Sequence, residues 1–263
     1  MGYTFWQGRK HHLDRMGLGE LTVAYLQYPA IQVYAALLVA SAAVALLWGN
    51  LPPNVRGTRI LAAAALGVVV YPLAWYLIHR FVLHGRFLYR SPWTAAMWKR
   101  VHFDHHQDPH DLRVLFGALH TTLPTVAGVT LPLGVLIGGV NGAAAAFTAG
   151  LATTIFYEYC HCIQHLHYTP RSGFLRRIKR LHLMHHFHNE NANFGITNFL
   201  WDRVAGTYHN AACEIPRSAT VFNLGYTGEE CTRYPWVTQR FRAAERTGDP
   251  PAAPHAAGPD SGA

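Results

Sequence analysis

Apolar residues along this chain are gathered into long uninterrupted runs rather than spaced along one face of short elements. Residues 30–49 and 60–78 contain no charged side chain, and residues 114–157 run for 44 positions without Lys, Arg, Asp or Glu. A bilayer core of about 30 Å is crossed by roughly 20 helical residues at 1.5 Å each. Each of the first two runs therefore predicts one membrane span, and the third predicts two, at about 123–140 and 143–160, parted at Asn141-Gly142. Pro72 falls inside the second span, where a membrane helix tolerates it. Gly134 and Gly138 stand four apart in the third, a spacing that lets helices approach closely. The expected fold is all-α and integral to the membrane, four transmembrane helices in two hairpins.

Charge orients these spans. Residues 1–29 hold three Lys and Arg, 80–121 hold six and 161–263 hold eleven, whereas the turn at 50–59 holds two. Basic residues accumulate on the cytoplasmic side, so both termini and the central loop are expected there. Residues 1–20 lack the apolar core of a cleavable signal peptide. Only 14% of residues are charged and 13% are aromatic, which argues against an ordinary soluble domain and against disorder for most of the chain. The net charge of +8 sits beside spans, a pattern that fits anionic lipid rather than nucleic acid. Residues 88–100 and 174–181 read either as helices lying on the bilayer surface or as packed cap helices. The domain reading is a cytoplasmic segment 1–29, a membrane domain 30–210 and an extension 211–263, disordered from about 246 where Ala, Pro and Gly dominate. Four cysteines do not make a secreted disulfide framework in a chain of this length.

The chemistry lies in the 18 histidines. Ten fall in four clusters: His79 and His84 (HxxxxH), His102, His105 and His106 (HxxHH), His161 and His165 (HxxxH), and His182, His185 and His186 (HxxHH). On an α-helix each HxxHH box projects into a sector of about 100° and the HxxxH pair lies about 40° apart. The HxxxxH pair is about 140° apart on the same basis, so His84 is expected either to reach the site from a frayed helix end or to serve another ion. All four clusters stand at or beyond the cytoplasmic ends of the expected spans, where one polar site can gather them. Ten imidazoles exceed one ion's coordination and suit two, and imidazole binds iron, copper, nickel or zinc. Glu158, Asp104, His188, Asn193 and Asp202 are the candidates to support ligating rings by hydrogen bonds. Glu158 stands out as an acid inside an expected span. Tyr157, Tyr159, Phe187 and Phe194 are candidates to line a substrate path or simply to pack.

With these motifs the chain resembles the fatty acid hydroxylase / sterol desaturase superfamily of membrane di-metal oxygenases. The resemblance rests on His79-Arg80-Phe81 through His84, His102-Phe103-Asp104-His105-His106, His161 through His165, and His182-Leu183-Met184-His185-His186 followed by Asn193-Phe194-Gly195 and Leu200-Trp201-Asp202-Arg203. It covers roughly residues 60–210, and its four-residue gap in the first box is similar to fatty acid 2-hydroxylases. It implies that the ten histidines hold two iron ions in a cytoplasmic helical cap, with zinc able to substitute in isolated protein. It also implies an O₂-dependent lipid monooxygenase that hydroxylates an unactivated C–H bond of an acyl chain, taking two electrons from an external donor. No His-Pro-Gly-Gly haem-binding stretch occurs in residues 1–29, so the expected donor is a separate ferredoxin or cytochrome b5.

The alternatives within the superfamily are a desaturase or hydroxylase of a sterol or other isoprenoid lipid. From other classes come a membrane metal transporter and a membrane zinc hydrolase. Transporters place ligands near the bilayer midplane, whereas these histidines gather at one face. A hydrolase needs one open zinc position, far fewer than ten imidazoles. The high Ala content and the missing fused electron domain favour a bacterial inner membrane over the endoplasmic reticulum.

Overall fold

The computed structural model describes residues 11–49 and 51–238; the tail expected to be disordered from 246, with His255, lies outside the described residues. Among the described residues the regular structure is helical, with one isolated bridge between His12 and Asp111. The order is α1 (Leu18–Gln27), α2 (Pro29–Leu47), α3 (Pro53–Leu77), α4 (Pro92–Trp98), α5 (Asp104–Gln107), α6 (Leu112–Leu115), α7 (Leu119–His165), α8 (Gly173–Phe187), α9 (Leu200–Val204) and α10 (Gly228–Arg233). Three segments are long and apolar enough to cross a membrane: Pro29–Leu47, Pro53–Leu83 and Leu112–His165. Proline opens α2 and α3 at the first turn, where its missing N–H costs nothing.

α7 does not break where the sequence places the turn. Helical dihedrals fail at Gly138 and at Gly139, whose φ of 55° suits glycine. Asn141 lies past that break in helical structure, buried, and its side chain donates to the carbonyls of Ala45, at 2.8 Å, and Trp48. Thus Asn141 pins the end of α2 to α7 instead of forming a turn. The two arms of α7 press together so closely that a Cβ on Gly134 would collide with the Gly142 carbonyl. The close approach expected of the small residues in the third span is thus made at Gly134, against Gly142. α2 and α3 both pack against α7, with Ala45, Ala63 and Ala144–Ala146 in one small-residue core. Ser41 and Thr148 exchange a hydrogen bond at 2.7 Å across that interface.

Polar segments after α3 and α7 build a cap at one end of this bundle. Trp98 is buried and donates to the Leu83 carbonyl at 2.8 Å, so it belongs to the cap core while Trp93 is 90% exposed. On α8, Ile178 and Leu181 are buried against Phe199, whereas Phe174 and Leu175 stay exposed. Both stretches expected to lie on a surface are therefore divided between packing and exposure. The N-terminal stretch is tied into the cap as well, with Leu13 N donating to His110 O at 2.9 Å.

Candidate metal centre

The ten clustered histidines converge into two groups of five. His79, His84, His102, His106 and His185 form one, and His105, His161, His165, His182 and His186 the other. Within each group the candidate ligand atoms all lie within 4.8 Å of one another. Each HxxHH box is split: His102 and His106 enter the first group and His105 the second, while His185 enters the first and His182 and His186 the second. Each box therefore contributes rings to both groups.

Backbone geometry explains the first box. Residues Ile78–Leu83 form a π-helix, and His84 N donates to His79 O at 3.1 Å. In a π turn, residues i and i+5 lie about one turn apart, so the two rings meet with Nε2 atoms 3.2 Å apart. His84, the residue that ends the π-helix, thus reaches the site from the helix end, and it joins the same group rather than another ion. A second π segment, Lys99–Phe103, carries His102, whose Nε2 lies 2.7 Å from His84 Nε2. In the other group, His105 and His161 approach at 3.1 Å and His165 and His182 at 2.9 Å, again through Nε2.

These separations fit a shared ion. Two nitrogens each about 2.1 Å from one ion, at right angles, would be roughly 3.0 Å apart. In the first group, Nδ1–H of His79 donates to Phe194 O at 2.6 Å, that of His106 to Val221 O at 3.1 Å and that of His185 to Ala192 O at 2.8 Å. A carbonyl only accepts, so Nδ1 carries the proton and Nε2 presents its lone pair inward. Nε2 of His106 and of His185 is buried without a protein partner, as are both ring nitrogens of His186. Burial, followed by neighbouring imidazoles, holds His102, His105, His182 and His186 well below the usual histidine range. Burial and the neighbouring His79 push His106 down to about 3, against the Val221 carbonyl. Neutral, inward-facing imidazoles with unfilled lone pairs are the form that accepts a metal ion.

The proposed supporting residues take different places. Glu158 is buried; its Oε1 accepts from Gly117 N at 3.3 Å and its Oε2 has no protein partner. It lines a cavity of about 50 Å³ with Trp75, Tyr157, His79, His105 and His161. Asp104 pairs with Lys99 at 2.6 Å rather than with a ring. Burial raises its pKa and Lys99 opposes the rise. Asn193 and Asp202 act one step further out. Asn193, at φ 56°, brackets the backbone of His209, and Asp202 accepts from Phe194 N at 2.7 Å and Gly195 N at 2.9 Å. Together they set the loop whose Phe194 carbonyl holds His79. His188 bonds Ile215 O at 2.8 Å. The carbonyl acceptors of Ala192 and Val221 carry no side-chain signature, so the sequence offers no sign of them.

An apolar cavity of about 110 Å³ adjoins this centre, sharing Trp75, Leu83 and Val101 with the first and continuing past Ile78, Val82 and Met97.

A model of the fatty acid hydroxylase family matches residues 64–207, more than half of the chain. The chain belongs to that family. It is 33% identical over 150 residues to the ceramide very long chain fatty acid hydroxylase of Saccharomyces cerevisiae, covering 54% of this chain and 37% of that one. It is 30% identical over 153 residues to a dihydroceramide fatty acyl 2-hydroxylase of Arabidopsis thaliana, covering 57% and 61%. Against the fatty acid 2-hydroxylase of Homo sapiens the identity is 30% over 161 residues, covering 59% and 41%. The chain thus spans less than two thirds of the length of these relatives. In three dimensions it resembles full-length scs7p, of which only the hydroxylase domain is visible, with a TM-score of 0.60, 27% identity and coverage of 74% and 69%.

Proposed function

We propose that this protein is a membrane-bound di-iron monooxygenase that hydroxylates an unactivated C–H bond of a lipid acyl chain. The observation that carries the reading is the gathering of ten histidines from four separate boxes into two five-imidazole groups beside a buried cavity. Family membership supports the reaction class, and relatives named as ceramide or fatty acyl 2-hydroxylases support carbon 2 of a ceramide or fatty acid as the target. Two iron ions, when bound, supply the reduction of O₂ with two external electrons and two protons, giving one hydroxyl on the substrate and one water.

The chain's own residues hold and select. His79, His84, His102, His106 and His185 hold one ion, and His105, His161, His165, His182 and His186 the other. The apolar walls formed by Ile78, Val82 and Met97 suit an acyl chain and exclude water from it. Oε2 of Glu158, buried and unpaired beside the histidines, accepts a hydrogen from the polar group next to the oxidised carbon. Four spans follow if each arm of α7 crosses the bilayer, which the length of Leu112–His165 supports. The basic cap then faces the cytoplasm, with both termini, and recruits an acidic ferredoxin or cytochrome b5. Residues 30–210 would form the membrane domain, in a bacterial inner membrane.

The test is lipid mass spectrometry of cells expressing the chain or its His105→Ala variant under ¹⁸O₂ with a donor present. A lipid that gains one ¹⁸O atom, absent from the variant, is the expected result. A lipid that loses two hydrogens instead would move the protein to the desaturase branch, and no lipid change would defeat the reading.

A further inference from the structure

The strap Ile215–Tyr226 lies beyond the residues that the family model matches, yet it reaches the first histidine group. Three consecutive residues that begin two positions after the last histidine box clasp it. His188 bonds Ile215 O at 2.8 Å, Asn189 Nδ2 donates to Pro216 O at 2.9 Å, and Glu190 Oε1 accepts from Thr220 Oγ1 at 2.5 Å. Ser218 N closes the clasp by donating to His188 O at 2.8 Å. Val221, which follows Thr220, is buried, and its carbonyl takes the Nδ1–H of His106. Gln107 then donates to Phe222 O from the other side.

The far end of the strap is anchored too. Leu224 and Gly225 both adopt positive φ, 50° and 80°, and a Cβ on Gly225 would run into the Arg86 side chain, at 2.5 Å from its Nε. Leu224 and Tyr226 are buried in the cap core with Tyr89, Trp98 and Phe103. A left-handed leucine is unfavourable, and the surrounding core holds this one in place. The result is a carbonyl fixed at both flanks and aimed at one ring of the first group. Among the described residues the second group has no counterpart: Nδ1 of His105, His165, His182 and His186 is buried with no protein partner.

We infer that the Ile215–Tyr226 strap, clasped by His188, Asn189 and Glu190, is the positioning element that sets the affinity of the first metal site and leaves the second unaffected. The inference rests on the reading of the two histidine groups as metal sites. Partners that orient a ligating imidazole govern its basicity and direction, and their loss typically costs roughly 10–100-fold in metal affinity.

The full chain in detergent, stripped with a chelator, is titrated with cobalt(II) and followed by visible absorption and by metal per chain after gel filtration. His84→Ala and His161→Ala, each removing one step, assign the two sites. Thr220→Val keeps the side-chain volume and removes only the hydroxyl held by Glu190. It should weaken the step that His84→Ala abolishes by roughly 10-fold or more and leave the other unchanged; Thr220→Ser should restore it, and Asn189→Ala should act in the same direction as Thr220→Val. Both steps unchanged in Thr220→Val and Asn189→Ala, or both weakened equally, overturns the strap while leaving the two metal sites standing. An unaltered chain that binds no cobalt overturns both.

Discussion

Glu158 and Glu190 are the two buried acids near the centre with one carboxylate oxygen unpartnered, and of the two only Glu158 lines the cavity beside the histidines. Asp104 is neutralised by Lys99, and Asp202 accepts two backbone N–H groups and the Thr207 hydroxyl. A buried oxygen without a partner is costly, and the cavity beside the histidines is where a substrate hydrogen would fill that vacancy. Glu158→Leu is therefore expected to keep its full metal content while slowing hydroxylation by roughly 10–100-fold, the equivalent of one hydrogen bond to a charged group. Metal analysis and turnover measured on the same preparation decide it; loss of metal would show instead that Glu158 supports the rings. The sequence marks Glu158 as an acid within an apolar run but does not reveal that its Oε2 is unpaired. Likewise Asn193 and Asp202 can be picked out by residue type, yet each acts on the Phe194 loop and only through it on His79.

Among the elements, α7 shows how a run of apolar residues conceals its own bend. Asn-Gly at 141–142 looks like a turn because both residues accept unusual dihedrals. The bend instead falls at Gly138–Gly139, since buried Asn141 finds two carbonyls at the end of α2, those of Ala45 and Trp48, and Gly142 is required to be bare where Gly134 crosses it. Gly134→Leu should therefore force the arms apart and destabilise the protein by about 1–3 kcal/mol, the usual effect of overpacking. Gly128→Leu, with open space around its Cβ position, is the matched control and should not lower stability, since a mid-helix glycine is itself the less favourable residue. Thermal unfolding in detergent compares the two, and equal melting temperatures would defeat the close-contact account. The π segments at Ile78–Leu83 and Lys99–Phe103 teach the same lesson. An α-helical wheel misplaces His84 because one extra residue per turn rotates everything after it.

For the molecule as a whole, nine buried imidazoles and the half-buried His84 at one end of an apolar bundle make stability depend on pH and, once ions are bound, on metal. In metal-free protein, burial and neighbouring histidines hold His102, His105, His182, His185 and His186 far below the ordinary value, and His106 near 3. The unfolded chain takes up protons as pH falls through about 6.5, whereas the folded state does not. Stability therefore rises with pH in this window: it is fully present above about 6.5 and is lost progressively as pH falls towards 3. The melting temperature of chelator-treated protein should drop between pH 7.5 and 5.5, and metal loading should raise it again, each occupied site adding about 2.7 kcal/mol of stability at a hundredfold excess over its Kd. A melting temperature flat across that range would refute the neutral, buried state of these rings. The apolar runs, the basic ends and the four histidine boxes are local properties, and the sequence by itself determined them: a helical membrane protein of the fatty acid hydroxylase family with ten gathered imidazoles. Only the tertiary structure decided which histidine joins which group, where α7 bends, and that the Val221 carbonyl reaches His106. Those depend on backbone turns one residue wider than an α-helix and on contacts between residues more than a hundred positions apart, such as His106 and Val221, which no local spacing encodes.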